Sequence, residues 1–172
     1  MPIFERSFKV NAPLPEVAAF HFILLGDGAR KQALKEDAAQ RGLNNVTFID
    51  SVSKEQVVRY WSLLDVSVIH LRKIDLFTTV IPSKLFECLG MRLPILLGVE
   101  GESADIVRKE GVGIVFEPEN TGQLLEKLKF LQCNLQVYEG FRAQCLETAK
   151  KYDRKILAKE MLAVIISKVD RE

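Results

Sequence analysis

The sequence predicts an α/β domain, a parallel sheet of short buried strands with helices on both faces. Three observations lead there. Apolar runs at residues 22–25, 46–49, 66–71 and 94–97 are short and scarcely alternate with polar residues, as expected of strands covered on both faces. Longer stretches between them carry apolar residues at helical spacing. Most of the runs lead into Gly, Asp, Ser or Arg residues that turn the chain. With 172 residues, 48% of them hydrophobic, one core of ordinary size is expected.

Residues 1–19 read as an irregular or truncated lead-in, in which Phe8 and Val10 suit a short strand before Pro13 and Pro15. Residues 20–172 read as the domain. A buried strand at 22–25 passes through Gly26-Asp27-Gly28 into a helix over 29–42, with Leu34 and Ala38 inward and Lys31, Lys35, Glu36 and Asp37 outward. A strand at 46–49 ends in Asp50-Ser51-Val52. Ser53 and Gln56 then spell a capping box for a helix over 54–64. A strand over 66–71 is followed by a loop over 72–80 with exposed Asp75 and apolar Phe77. Pro82 and Ser83 punctuate the next helix start, with Ser83 as N-cap. Leu85, Phe86, Leu89 and Met91 give that helix its apolar side, and Pro94 stops it and opens the strand at 94–97. A helix over 103–110 closes at Gly111, a strand spans 113–117, and Asn120 with Gln123 starts a helix to about residue 132. Helices over 135–152 and 154–169 finish the chain, the last with Leu157, Met161, Leu162, Ile165 and Val169 on a broad apolar side.

In parallel sheets, ligands gather outside the carboxyl ends of the strands. Four loops lie there: Gly26 to Gly28, Asp50 to Val52, His70 to Arg72, and residues 98–101. Glu87 lies four residues after Ser83, so both point the same way from one helix. Free N–H groups at a helix start attract phosphate, and a carboxylate one turn on can accept bonds from two sugar hydroxyls. The spacing is Ser-x-x-x-Glu rather than the capping-box Ser-x-x-Glu, although a purely structural use of the pair stays open. Gly28 permits close approach of a phosphate, but residues 26–31 form neither G-x-G-x-x-G nor a P-loop, and Asp27 suits a plain turn equally well. Lys84 stands at a helix start, where a cation is misplaced unless an anion is bound. An ordinary surface lysine is the other reading. Arg72 at a strand end can neutralise a phosphate, whereas His70 reads as a partly buried strand residue. Together these positions select nucleotide-type ligands, not a reaction.

Other classes are disfavoured. Lys plus Arg total 24 against 23 Asp plus Glu, a net charge of +1 that exerts no general pull on nucleic acid. Cys88, Cys133 and Cys145 are widely spaced, and His21 and His70 are the only histidines, so neither a disulfide framework nor a metal centre is expected. No Ser-His-Asp set and no acid pair suited to hydrolysis stands out. No signal peptide opens the chain, and no apolar run is long enough to cross a bilayer, so a cytosolic setting is expected.

The segments FILLGDGARKQALK, NVTFIDSVSKEQ, DVSVIHL and TTVIPSKLFECLGMRLPILLGVEGESADIVRKEGVGIVFEPEN, in that order over about residues 20–131, resemble family 4 glycosyltransferases. These are retaining enzymes of the two-domain GT-B architecture, and the match is similar to their carboxyl-terminal, Rossmann-like domain, which binds the nucleotide sugar. The form TVIPSKLFE is especially similar to bacterial enzymes that build O-antigen, capsule and related surface polysaccharides. The resemblance implies a donor-binding half that takes a nucleoside diphosphate sugar, UDP-linked for preference, without metal. Glu87 matches the second acid of the family's Glu-x7-Glu motif and would bind the donor ribose. Ser83 and Lys84, with Gly26 and Gly28, would meet the diphosphate, and Asp50, Ser51 and Val52 would border the nucleobase. The first acid of the motif is replaced by Thr79, which with Thr78 offers hydroxyls to the transferred sugar.

The family's opening strand and long helix, with a phosphate-binding Arg and Lys, have no counterpart in residues 1–19. The acceptor would therefore be held by an amino-terminal domain or a separate chain, and this chain alone would transfer nothing appreciable. In the family a terminal helix crosses to the other domain. Here its apolar face is open to self-association, to membrane-surface contact at the inner face of the membrane, or to core packing. Two alternatives stand beside the enzyme: a non-catalytic nucleotide-binding or partner-binding domain, and a sugar-nucleotide epimerase of the same architecture.

Overall fold

The computed structural model describes residues 20–169, to which all structural statements below refer. Strands and helices alternate along the chain: β1 (Phe22–Leu25), α1 (Lys31–Gln40), β2 (Val46–Ile49), α2 (Lys54–Trp61), β3 (Ser67–His70), a 3-10 turn (Asp75–Thr79), α3 (Ser83–Gly90), β4 (Ile95–Gly98), α4 (Glu102–Glu110), β5 (Gly113–Val115), α5 (Thr121–Cys133), α6 (Leu135–Lys151) and α7 (Arg154–Val169). All strand pairs are parallel. They form two groups, β1–β2 and β3–β4–β5, and no ladder among the described residues joins β1 to β3. The expected strand at Phe8 and Val10 lies outside the described residues.

The second group holds the core. Ile95, Leu96 and Leu97 of β4 are fully buried, and their side chains alternate between two faces. On one face Ile95 and Leu97 pack with Ile69, Leu85, Leu89 and Val107. On the other, Leu96 packs with Phe116 and with Leu124, Leu125, Leu128 and Leu131 of α5. Burying each such aliphatic side chain stabilises the fold by roughly 1.5–3 kcal/mol. β4 therefore has the both-faces burial that its apolar run predicts.

β1 does not. Phe22 to Leu25 are only half-buried, against the buried strand expected, because β1 has a single strand neighbour among the described residues and α1 covers it lightly, with only Ala38 buried. Element ends also differ from the sequence reading. α1 is shorter than 29–42, with Arg30 and Arg41 as caps. α2 stops at Trp61 because residues 62–64 tighten into a final turn: the Leu63 N–H donates to Tyr60 and the Leu64 N–H to Trp61. β3 and β5 are shorter than 66–71 and 113–117, and the loop over 72–80 contains the 3-10 turn. Ser83 is the first helical residue of α3 rather than its N-cap, since Pro82 takes the extended N-cap conformation. The capping box at Ser53 and Gln56, the Asn120 cap and the left-handed Gly111 form as expected.

α7 was expected to have one broad apolar side. Instead Ile156, Leu157, Met161, Leu162, Val164, Ile165 and Ile166 surround it, each 43–66% exposed. No described helix is long and apolar enough to cross a membrane.

Candidate functional site

The parallel strands end together, so their carboxyl-end loops lie side by side within each group. After β1 and β2, Asp27 ties two loops into one rim. One carboxylate oxygen accepts from the Lys31 ammonium at 2.7 Å and the other from the Ser51 backbone N–H at 2.8 Å. Lys31 also donates to the Ile49 carbonyl at 3.2 Å and pairs with Asp50. Its side chain is only 15% exposed, where the sequence placed it outward. The partners that draw it in lie across the strand pair, beyond the reach of helical periodicity. The Lys31 bond, then the Ser51 N–H, hold the Asp27 carboxyl at about 2. Gly26, Gly28, Asp50 and Ser51 are thus brought together with half-buried Val52 beside them. Asp27 acts as the pin of this rim.

The second set is built on α3. Leu85, Cys88 and Leu89 are completely buried, which fixes the helix on the core and turns Ser83 and Glu87 outward on one exposed side. No side chain caps the α3 amino end. Its positive helix-end potential therefore faces outward beside Lys84, which is only partly exposed. Burial lowers the Lys84 pKa, and the Glu87 carboxylate opposes that shift. A cation held there against desolvation and the helix dipole gains from any bound anion. Arg72 is exposed at the end of β3. The Thr78 hydroxyl donates to the Asp75 carbonyl at 2.7 Å, and the Thr79 hydroxyl reaches the Leu76 carbonyl only at 3.4 Å. Both threonines therefore stand on the 3-10 turn that leads into α3.

Gly101, Lys73 and His70, to which the sequence reading gave no binding role, join the loops around this second set. The β4–α4 loop meets the threonine turn at Gly101, where a Cβ would sit 1.9 Å from the Thr78 carbonyl oxygen. Lys73 pairs with Glu117 at 2.8 Å and Glu100 at 3.7 Å, joining the loops after β3, β4 and β5. His70 Nε2 accepts from the Glu119 N–H at 2.8 Å. Gly101 had a local signal in the Gly-x-x-Gly that follows β4. His70 and Lys73 had none, because their hydrogen-bond partners Glu119 and Glu117 lie at separations of 49 and 44.

Cys88 and Cys145 are buried, and burial pushes the Cys88 thiol up to about 12, so neither is a reactive nucleophile. Among the described residues no group of three His, Cys, Asp or Glu side chains could hold a metal ion. A shallow groove of about 510 Å³ between Arg108, Gly111, Val137 and Phe141 lies at the amino end of β5, away from these loops.

Comparison with known proteins bears on the family and the fold. The family description "Glycosyl transferases group 1" matches residues 8–134. No curated protein matches the chain significantly. Among solved structures, a glycosyltransferase from Rickettsia africae ESF-5 is 16% identical, with a TM-score of 0.70 over 84% of this chain and 39% of its own. HepE of Anabaena in complex with UDP is 15% identical, with a TM-score of 0.74 over 90% of this chain and 43% of its own. WaaG, a glycosyltransferase involved in lipopolysaccharide biosynthesis, is 18% identical, with a TM-score of 0.64 over 88% of this chain and 41% of its own. At such identities the likeness is one of fold, that of the carboxyl-terminal half of GT-B glycosyltransferases. The chain spans well under half the length of each of these structures. Since the family match runs from β1 through α5, and so through every strand and every loop of the site, this chain belongs to the group 1 glycosyltransferases.

Proposed function

We propose that this chain is the donor-binding half of a retaining glycosyltransferase and holds a nucleoside diphosphate sugar, preferably UDP-linked, across its two loop sets. One observation carries the reading: the α3 amino end, uncapped by any side chain, stands beside partly buried Lys84 with exposed Glu87 one turn further in. Backbone N–H groups at Ser83, the Lys84 ammonium and Arg72 supply positive potential to the diphosphate, and Gly26 and Gly28 leave room for it from the other rim. As the sugar departs, negative charge grows on the leaving diphosphate, and positive groups fixed there in advance stabilise it. Glu87 accepts from the ribose hydroxyls, Asp50, Ser51 and Val52 border the base, and Thr78 and Thr79 face the sugar. No metal is required in this scheme. HepE, solved also with UDP-glucose, is a relative whose ligand fits it.

The acceptor side belongs to an amino-terminal domain or a separate chain, so the isolated chain binds donor without appreciable transfer. Surface-polysaccharide synthesis such as O-antigen or capsule, at the inner face of the membrane, is the setting that TVIPSKLFE suggests. A second reading, a non-catalytic nucleotide-binding domain, is favoured by Thr79 standing where the family has an acid.

Calorimetric titration of UDP and GDP without metal tests the proposal. Charge-assisted bonds of this kind contribute about 1.5–3 kcal/mol, so Glu87→Ala should weaken UDP at least about tenfold with the thermal midpoint unchanged. Equal binding by the variant would remove the ribose assignment. Sugar transfer restored by a matching amino-terminal partner would favour the enzyme over the second reading.

A further inference from the structure

We propose that His70 and Lys73 form a clamp that sets the position of Thr78 and Thr79, and that this clamp governs affinity for the donor's sugar separately from affinity for its nucleotide. The inference rests on the donor-site reading above, in which the threonines face the sugar.

His70 is the last residue of β3, and its ring is oriented from two sides. It stacks on Phe116 with planes 7° apart and centroids 6.1 Å apart. It also lies against Gly98, where a Cβ would come within 2.7 Å of His70 Cδ2. So placed, Nε2 accepts the Glu119 N–H at 2.8 Å. Glu119 has a φ of 65°, a left-handed conformation that a non-glycine residue keeps only when its surroundings hold it. Burial lowers the His70 pKa, with the Glu119 carboxylate opposing, which favours the unprotonated acceptor near neutral pH. The turn after β5 is thereby fixed to the end of β3, across β4.

Three residues on, Lys73 grips the same turn through Glu117 and the β4–α4 loop through Glu100. The segment from Lys73 to Thr78 is then held at both ends, by these ion pairs at its start and by the Gly101 backbone against Thr78 at its finish. Immediately past the second grip, exposed Thr79 ends the 3-10 turn, and its own hydroxyl bond is long at 3.4 Å. α3 has a different anchor, since Leu85, Cys88 and Leu89 seat it on the core. Loosening the clamp therefore displaces the threonines while leaving the helix end and Glu87 in place. His70 and Lys73 are positioning residues, acting through Glu119, Glu117 and Glu100.

The test separates an acceptor role from simple packing. His70→Phe keeps an aromatic ring against Phe116 but cannot accept the Glu119 N–H. His70→Gln gives up the ring and keeps an acceptor. Each full-length variant, with Lys73→Ala, is titrated with UDP and with UDP-glucose, and amide hydrogen exchange at Thr79 and Glu119 is measured without nucleotide. His70→Phe and Lys73→Ala should weaken UDP-glucose about fivefold to tenfold, with UDP within about twofold of the parent. Exchange at Glu119 should rise in His70→Phe and stay near the parent rate in His70→Gln. The reverse order, with His70→Phe like the parent and His70→Gln impaired, overturns the clamp in favour of packing. Equal losses for UDP and UDP-glucose, or unchanged UDP-glucose affinity, overturn the sugar-side assignment and leave the donor site standing. Absence of nucleotide binding by the parent chain overturns both.

Discussion

At the scale of single residues, Asp27 and Lys84 show opposite uses of charge. Asp27 is satisfied twice over, by Lys31 and by the Ser51 N–H, and its carboxyl titrates near 2 rather than at its ordinary 3.8. The sign of the linkage follows: its stabilising contribution is complete above the unfolded value near 3.8 and disappears as pH falls through about 2. An NMR titration of the side-chain carboxyl should place the midpoint near 2 in the parent and close to the ordinary value in Lys31→Met. A Lys31→Met midpoint still near 2 would assign the shift to Ser51 alone. Lys84 is the converse, a cation whose burial disfavours its charge at a helix end that disfavours it further. A bound anion offsets both costs.

At the scale of elements, three helix starts illustrate how much the sequence reveals. α2 was legible because its capping box lies within four consecutive residues and both reciprocal bonds form. α3 was legible in place but not in detail, because Pro82 rather than Ser83 occupies the extended N-cap position, and that choice leaves the amino end uncapped by a side chain. α4 begins at Gly101, with φ 77° and ψ −147°, a region that essentially only glycine adopts, pressed against the Thr78 backbone. Gly101→Ala combines backbone strain with overpacking and should destabilise the chain by roughly 2–4 kcal/mol in urea denaturation. A loss below about 0.5 kcal/mol would mean that the threonine turn does not rest on this loop. Lys31 marks the limit of pattern reading: helical spacing sends it outward, and Asp50, nineteen residues away, brings it in.

At the scale of the whole molecule, the strands from β3 to β5 and their helices carry a dense core, whereas β1, β2, α1 and α2 bury little besides Ala38. α7 is the extreme case. Apolar residues lie on all sides of it, interspersed with Arg154, Lys155, Lys159, Glu160 and Lys168, and exposed apolar area of this kind favours being covered. Its described side chains are exposed, so it contributes little to the core beneath the site. Ending the chain after Asp153 keeps the contact of Tyr152 with Phe86 and should leave the thermal midpoint within about 2 °C while reducing binding of a hydrophobic dye. A fall of several degrees would show that α7 packs on the domain.

The sequence by itself determined the α/β alternation, nearly every element's location and the family, because strand and helix periods, caps and the order of motifs are written in neighbouring residues. Only the tertiary structure decided that β1 is half-buried, that Lys31 and Asp27 serve the rim, that His70 and Lys73 bond to the turn after β5, and that Gly101 lies against Thr78. These depend on contacts between loops gathered at the strand ends, where residues some twenty to fifty positions apart in the chain become neighbours. No local pattern encodes such distances. They follow from the parallel register, which brings His70 beside Gly98 and the loops beyond them into contact.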